Sequence, residues 1–161
     1  MPLPVYEKVF SAAEKGFISA THENLQCLKS LSAHFSKNCV RTLDRGFDAN
    51  DYYRYFLKND EKFVIRSKKN RNVIYNGKTQ NIMDVAGNYK GNYRMDFKDK
   101  HGKKIECKIS YIPVQLCEFP NKTLVLVAVY GFGAQPMLLL TNLDLSEKKK
   151  LCMIATKVYL M

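Results

Sequence analysis

The chain has no tryptophan, no C-x-x-C pair and no apolar run near the roughly 18 residues of a membrane-spanning helix. Its longest apolar stretches, residues 124–130 and 137–140, are strand-sized. The opening Met-Pro-Leu-Pro-Val-Tyr lacks the basic-then-apolar layout of a secretory signal. Five cysteines (27, 39, 107, 117 and 152) form neither an even disulfide framework nor a zinc-ligand spacing. Free thiols in a reducing cytoplasm are the expectation, with no membrane partner. The N-x-T triplet at Asn121 then carries no glycan. No G-x-S-x-G is present, and His22, His34 and His101 show no ligand spacing. Gly131-Phe132-Gly133 is too short for a phosphate loop and reads as a turn.

What is present argues for a folded chain. Hydrophobic residues make up 46% of the 161, with nine Phe and ten Tyr, which excludes a disordered segment. The length fits one domain, or one domain carrying an insertion. The net charge of +11 is unevenly placed. Residues 1–61 carry eight basic and eight acidic groups, whereas residues 62–104 carry twelve basic and three acidic. Residues 105–161 add six basic and four acidic. A positive field confined to one segment is the footprint of a phosphate-binding surface; a lysine-rich solvated face is the alternative reading.

Periodicity divides the chain into three parts. In residues 1–67, a strand is expected over 4–11 and a helix over 21–35, capped by Thr21 with Leu25, Leu28, Leu31 and Phe35 on one stripe. A short strand over 39–43 ends at Asp44. A second helix follows to Lys58, capped by Asp48 or Asn50, and then a buried strand over 62–66. This alternation predicts parallel pairing with helices covering the sheet. Residues 68–142 read as an antiparallel β segment: strands at 72–75, 93–97, 104–114, 123–130 and 136–141, with Asn76-Gly77 as a type I′ turn. In residues 143–161, Ser146 caps a helix with Leu151, Ile154, Ala155, Val158 and Tyr159 on its stripe. That helix reaches the last residue without a stop signal, so the chain is expected to be cut from a longer parent.

The most informative stretch is Thr42-Leu43-Asp44-Arg45-Gly46-Phe47-Asp48, where an apolar run delivers a carboxylate to a glycine turn. It resembles the second-aspartate motif of bacterial insertion-sequence DDE transposases of the insertion-sequence-four-like group. Phe63-Val64-Ile65-Arg66-Ser-Lys-Lys-Asn70 resembles the strand that follows that aspartate. Leu138-Leu139-Leu140-Thr141-Asn142 resembles the strand before the last catalytic helix, and Tyr159 fits the tyrosine of the Y-x-x-R-x-x-x-E signature. The resemblance implies an α/β fold: a partial ribonuclease H-like core with a β-rich antiparallel insertion.

The resemblance also implies a reaction. DNA transposition cuts and joins strands by phosphoryl transfer on two Mg2+ (or Mn2+) ions held by two Asp and one Glu. Asp44 matches the second aspartate, as catalytic residue and metal ligand. Gly46 would permit a tight backbone path past the metal, and Arg45 could contact a phosphate. No aspartate precedes Asp44 and no glutamate follows Tyr159, so the fragment is expected to bind no metal stably and to be inactive alone. DNA, a homo-oligomer or intact transposase subunits are the implied partners. Arg66, Lys68, Lys69 and Arg71 read as phosphate contacts or as guards of a strand edge. Asp48 reads as a helix cap. Tyr75, Tyr89 and Tyr93 could stack on bases, though β-face packing explains them as well. A non-catalytic basic DNA-binding module is the alternative function.

Overall fold

A mixed α/β architecture is seen in the computed structural model, which describes residues 9, 11–98 and 104–144. In chain order these form α1 (Ala20–Ser32), β1 (Arg41–Leu43), a 3-10 turn (Arg45–Phe47), α2 (Asn50–Asn59), β2 (Phe63–Arg66), β3 (Asn72–Tyr75), β4 (Lys78–Asn81), α3 (Ile82–Gly87), β5 (Tyr93–Lys98), β6 (Lys104–Leu116), β7 (Phe119–Tyr130) and β8 (Met137–Thr141). The expected strand over 4–11 and the helix starting at Ser146, with Tyr159, lie outside the described residues. No helix among the described residues is long and apolar enough to cross a membrane.

All eight strands join one sheet: seven follow the order β1-β2-β8-β7-β6-β3-β4, and β5 pairs with β6 off that path. Strands β5 and β3 share one edge of β6, pairing with its first and last parts. Only β1 and β2 run parallel; the remaining pairs are antiparallel, so the expected parallel pairing extends to one pair. After β2 the chain builds β3 to β7 before β8 enters between β2 and β7. Asn142 closes the junction. Its Oδ1 accepts the Phe63 N–H at 3.0 Å, and its Nδ2 donates to the Glu61 carbonyl at 2.8 Å.

The central strands are apolar on both faces because both are covered, which is why their sequences run without alternation. Phe63, Ile65, Leu138, Leu140, Leu126 and Ala128 belong to a core shared with Leu28 of α1, Phe56 of α2 and Val85 of α3. Val64, Leu139, Val127, Val129, Cys107 and Ile109 form a second buried cluster on the opposite face. Helix α2 is fixed by rings: Phe56 stacks on Phe63 with centroids 5.3 Å apart, and Tyr53 meets Phe63 edge-on at 5.7 Å. Such pairs contribute about 0.5–1.5 kcal/mol each beyond area burial.

Local departures from expectation have simple causes. Helix α1 starts one residue earlier than the sequence reading, capped by Ser19, whose Oγ accepts the His22 N–H at 3.1 Å. It ends at Ser32, so Phe35 lies beyond it and is 42% exposed. Helix α2 is capped by Ala49 with no side-chain bond, because the Asp48 carboxylate is engaged elsewhere and Asn50 already lies within the helix. Asn76 and Gly77, at φ 49 and 72, make the predicted left-handed hairpin turn. Helix α3 is a single short segment capped by Asn81, too short to leave a periodic signal.

Candidate functional site

Parallel register pairs Leu43 with Ile65, so Asp44 and Arg66 meet at the carboxyl end of the β1–β2 pair. Crevices outside the carboxyl ends of parallel strands are where open α/β sheets bind ligands. The Asp44 side chain is 65% exposed, and its Oδ1 lies 3.7 Å from Arg66 Nη1. The 3-10 turn that follows holds Arg45 and Gly46, both exposed. Gly46 has ordinary negative φ, and nothing lies within 4 Å of where a Cβ would sit.

After β2 the chain turns through residues 67–71 into β3, and Lys68 and Lys69 are exposed on this loop. Lys69 Nζ bonds Gln135 Oε1 in the β7–β8 connection. The Ser67 N–H donates to the Leu138 carbonyl at 2.8 Å. The loop is held on its inner side by Asp48, whose side chain is fully buried. Asp48 Oδ1 accepts from Tyr53 OH at 2.7 Å and from Arg71 Nε at 2.7 Å. Its Oδ2 accepts from the Lys68 N–H at 2.6 Å and from Ser67 Oγ at 3.1 Å. Burial, and next the Asp48 carboxylate, push the Tyr53 phenol well above its usual range, so it stays a donor.

Arg71 differs from its neighbours in the cluster. Besides its bond to Asp48, Nη1 donates to Asn50 Oδ1 at 3.0 Å and Nη2 to the Asp48 carbonyl at 3.2 Å. Its guanidinium lies 5.0 Å from the Tyr53 ring centre, and its side chain is 14% exposed. The structure thus brings Asp44, Arg45 and Arg66, with Lys68 and Lys69 on the neighbouring loop, to the end of the sheet, and turns Arg71 inward. Asp48 as anchor was hidden from sequence reading, because its partners Ser67, Lys68 and Arg71 come from a distant loop. The tyrosines also pack within the protein: Tyr75 meets Tyr89 edge-on, and Tyr93 stacks on Tyr111 with centroids 5.8 Å apart.

The donor set bears on metal binding. Among the described residues, no group of three or more His, Cys, Asp or Glu is placed to hold an ion. The exposed Asp44 carboxylate is an oxygen donor of the kind that Mg2+ or Mn2+ takes, and it stands alone in this respect at the strand end among the described residues. Compared with known proteins, the chain matches no family model and no curated protein.

Proposed function

We propose that this chain is part of the catalytic domain of a DDE transposase of the insertion-sequence-four-like group. On this reading β1 and β2 belong to a ribonuclease H-like core, residues 68–142 are its β-rich insertion, and Asp44 is one of three metal-holding carboxylates. The supporting observation is the position of Asp44: an exposed carboxylate ending β1 of the parallel pair, beside Arg66 and on the end of the sheet that carries Arg45, Lys68 and Lys69. A rigid strand end fixes such a carboxylate while leaving it open to substrate.

The division of labour follows from charge. The cations attract and orient the phosphate backbone without reading sequence. Asp44 presents an oxygen donor where the bound phosphates arrive. Mg2+ or Mn2+, when bound, supplies activation of the attacking oxygen and stabilisation of the leaving one. One carboxylate does not make a cage, so the chain alone binds DNA without cleaving it. Intact transposase subunits, or further copies of the chain, are the partners this reading implies.

Ferrous iron substitutes for Mg2+ in oxygen-ligated sites and, with ascorbate and peroxide, cuts polypeptide where it is bound. On the chain bound to duplex DNA, cuts are expected beside Asp44 and Arg66 and should vanish in Asp44→Asn. Identical cutting in that variant would refute the assignment of Asp44. The basic surface also fits a non-catalytic DNA-binding module, for which DNA-dependent cutting at this site is not expected.

A further inference from the structure

Asp48 is a fully buried carboxylate next to the candidate site, and the proposed chemistry gives it no task. Its four donors come from two places: Tyr53 of α2, and the loop 67–71 through Ser67 Oγ, the Lys68 N–H and Arg71 Nε. A carboxylate has about four lone-pair sites, so this one is saturated. Asp48 lies only four residues after Asp44, on the segment that leaves β1. It therefore ties the loop carrying Lys68 and Lys69 to the segment carrying Asp44 and Arg45.

The side chains on that loop divide by direction. Lys68 and Lys69 are exposed, whereas Arg71 spends three N–H donors on Asp48 and Asn50 and lies over the Tyr53 ring. An Arg bound bidentately to one residue and stacked on a ring is not replaceable by Lys, which lacks the planar fork. Three other backbone bonds hold the loop: the Ser67 N–H on the Leu138 carbonyl, the Ile82 N–H on the Arg71 carbonyl at 2.9 Å, and the Arg71 N–H on the Lys68 carbonyl at 3.4 Å; none of them fixes the backbone of Lys69. Lys69 adds a side-chain contact to Gln135.

We infer that Asp48 and Arg71 form a brace whose role is to set Lys68 and Lys69 for phosphate binding: Asp48 is a positioning residue, and Arg71 itself contacts no DNA. The inference rests on the proposed DNA-binding reading of this surface. It makes a prediction opposite in sign to simple electrostatics. Asp48→Asn removes a negative charge beside a phosphate-binding surface, so charge alone predicts tighter DNA binding. Loss of the brace predicts weaker binding, because two lysines lose their fixed positions.

The test is equilibrium binding of the full chain to a fluorescent blunt duplex across a salt series, with circular dichroism to verify folding. Each phosphate contact contributes about 0.9 to the slope of log K against log salt. Asp48→Asn is expected to bind more weakly with a slope shallower by about 2, the share of Lys68 and Lys69 together. A variant that merely populates less folded protein would lower affinity at every salt with the slope unchanged. That outcome, or binding as tight as the parent, overturns the brace. Should Asp48→Asn fail to fold, Arg71→Lys decides. It keeps the charge, so a direct phosphate contact would preserve the slope, and that result overturns the inference; the brace predicts the same shallower slope. A parent chain showing no salt-dependent DNA binding would overturn the DNA reading itself, and the brace's role with it.

Discussion

Replacing Glu61 by Gln should cost the protein about 3–5 kcal/mol, the loss seen when one partner of a buried ion pair is removed. Glu61 sits between α2 and β2 with its side chain 5% exposed, and Arg41 of β1 is 12% exposed. Arg41 Nε lies 3.1 Å from Glu61 Oε2, which also accepts from Ser32 Oγ at 3.1 Å. Tyr55 OH reaches Oε1 at 3.3 Å and Ser32 Oγ at 3.0 Å. One carboxylate thus joins α1, α2 and the edge strand β1. The amide of Gln would turn N–H groups toward a guanidinium that has lost its counter-charge. For a chain of this size, 1 kcal/mol shifts the melting temperature by roughly 2–4 °C, so a fall of roughly 6–20 °C is expected. Urea unfolding read by circular dichroism measures the loss, with the m-value unchanged. The double variant Arg41→Met with Glu61→Leu should recover most of it, because an apolar pair leaves no buried charge unpaired. A loss below about 1 kcal/mol for Glu61→Gln would instead mark the pair as a solvated surface contact that does not join the three elements.

Three further outcomes are expected. Gly91→Ala should destabilise by about 3 kcal/mol in urea melts and detach β5 from β6, since φ is +86 and a Cβ would meet Lys108 Cβ at 2.3 Å. Full stability in this variant would contradict that close approach. Tyr53, raised chiefly by burial and next by Asp48, contributes stability that is complete below the ordinary phenol value of 10.0 and lost as pH climbs through the raised value. The melting temperature should therefore drop above that pH, less steeply in Tyr53→Phe; equal alkaline slopes would count against it. Among the described cysteines, Cys39 and Cys117 are exposed while Cys107 is buried, with its thiol pushed up mainly by burial. A native-state maleimide pulse followed by peptide mapping should mark the first two and spare Cys107 until urea is added.

Local signals in the sequence were legible where one segment decides its own structure. Continuous apolar runs at 124–130 and 137–140 fall in strands covered on both faces, and Asn76-Gly77 makes its turn unaided. The placement of Asp44 at the end of a strand also follows from its neighbours. Long-range pairing was not legible. Nothing in residues 137–141 announces that they lie between β2 and β7, because that order depends on which apolar faces meet. The split within the basic cluster was hidden for the same reason. Arg66, Lys68, Lys69 and Arg71 look alike as charges, and only the fold brings Asp48 under one of them. Helix α2 lost its expected cap to that same contact.

The proposed function makes Asp44 one of the metal-holding carboxylates of a DDE transposase. The most direct measurement is duplex affinity of the chain with and without Mn2+ at constant ionic strength, for the parent and for Asp44→Asn. Mn2+ is expected to tighten binding of the parent, because Asp44 and a DNA phosphate together can ligate the ion, and Asp44→Asn is expected to lose this gain. Equal affinities with and without Mn2+ in both proteins would contradict it and leave a basic DNA-binding module in its place.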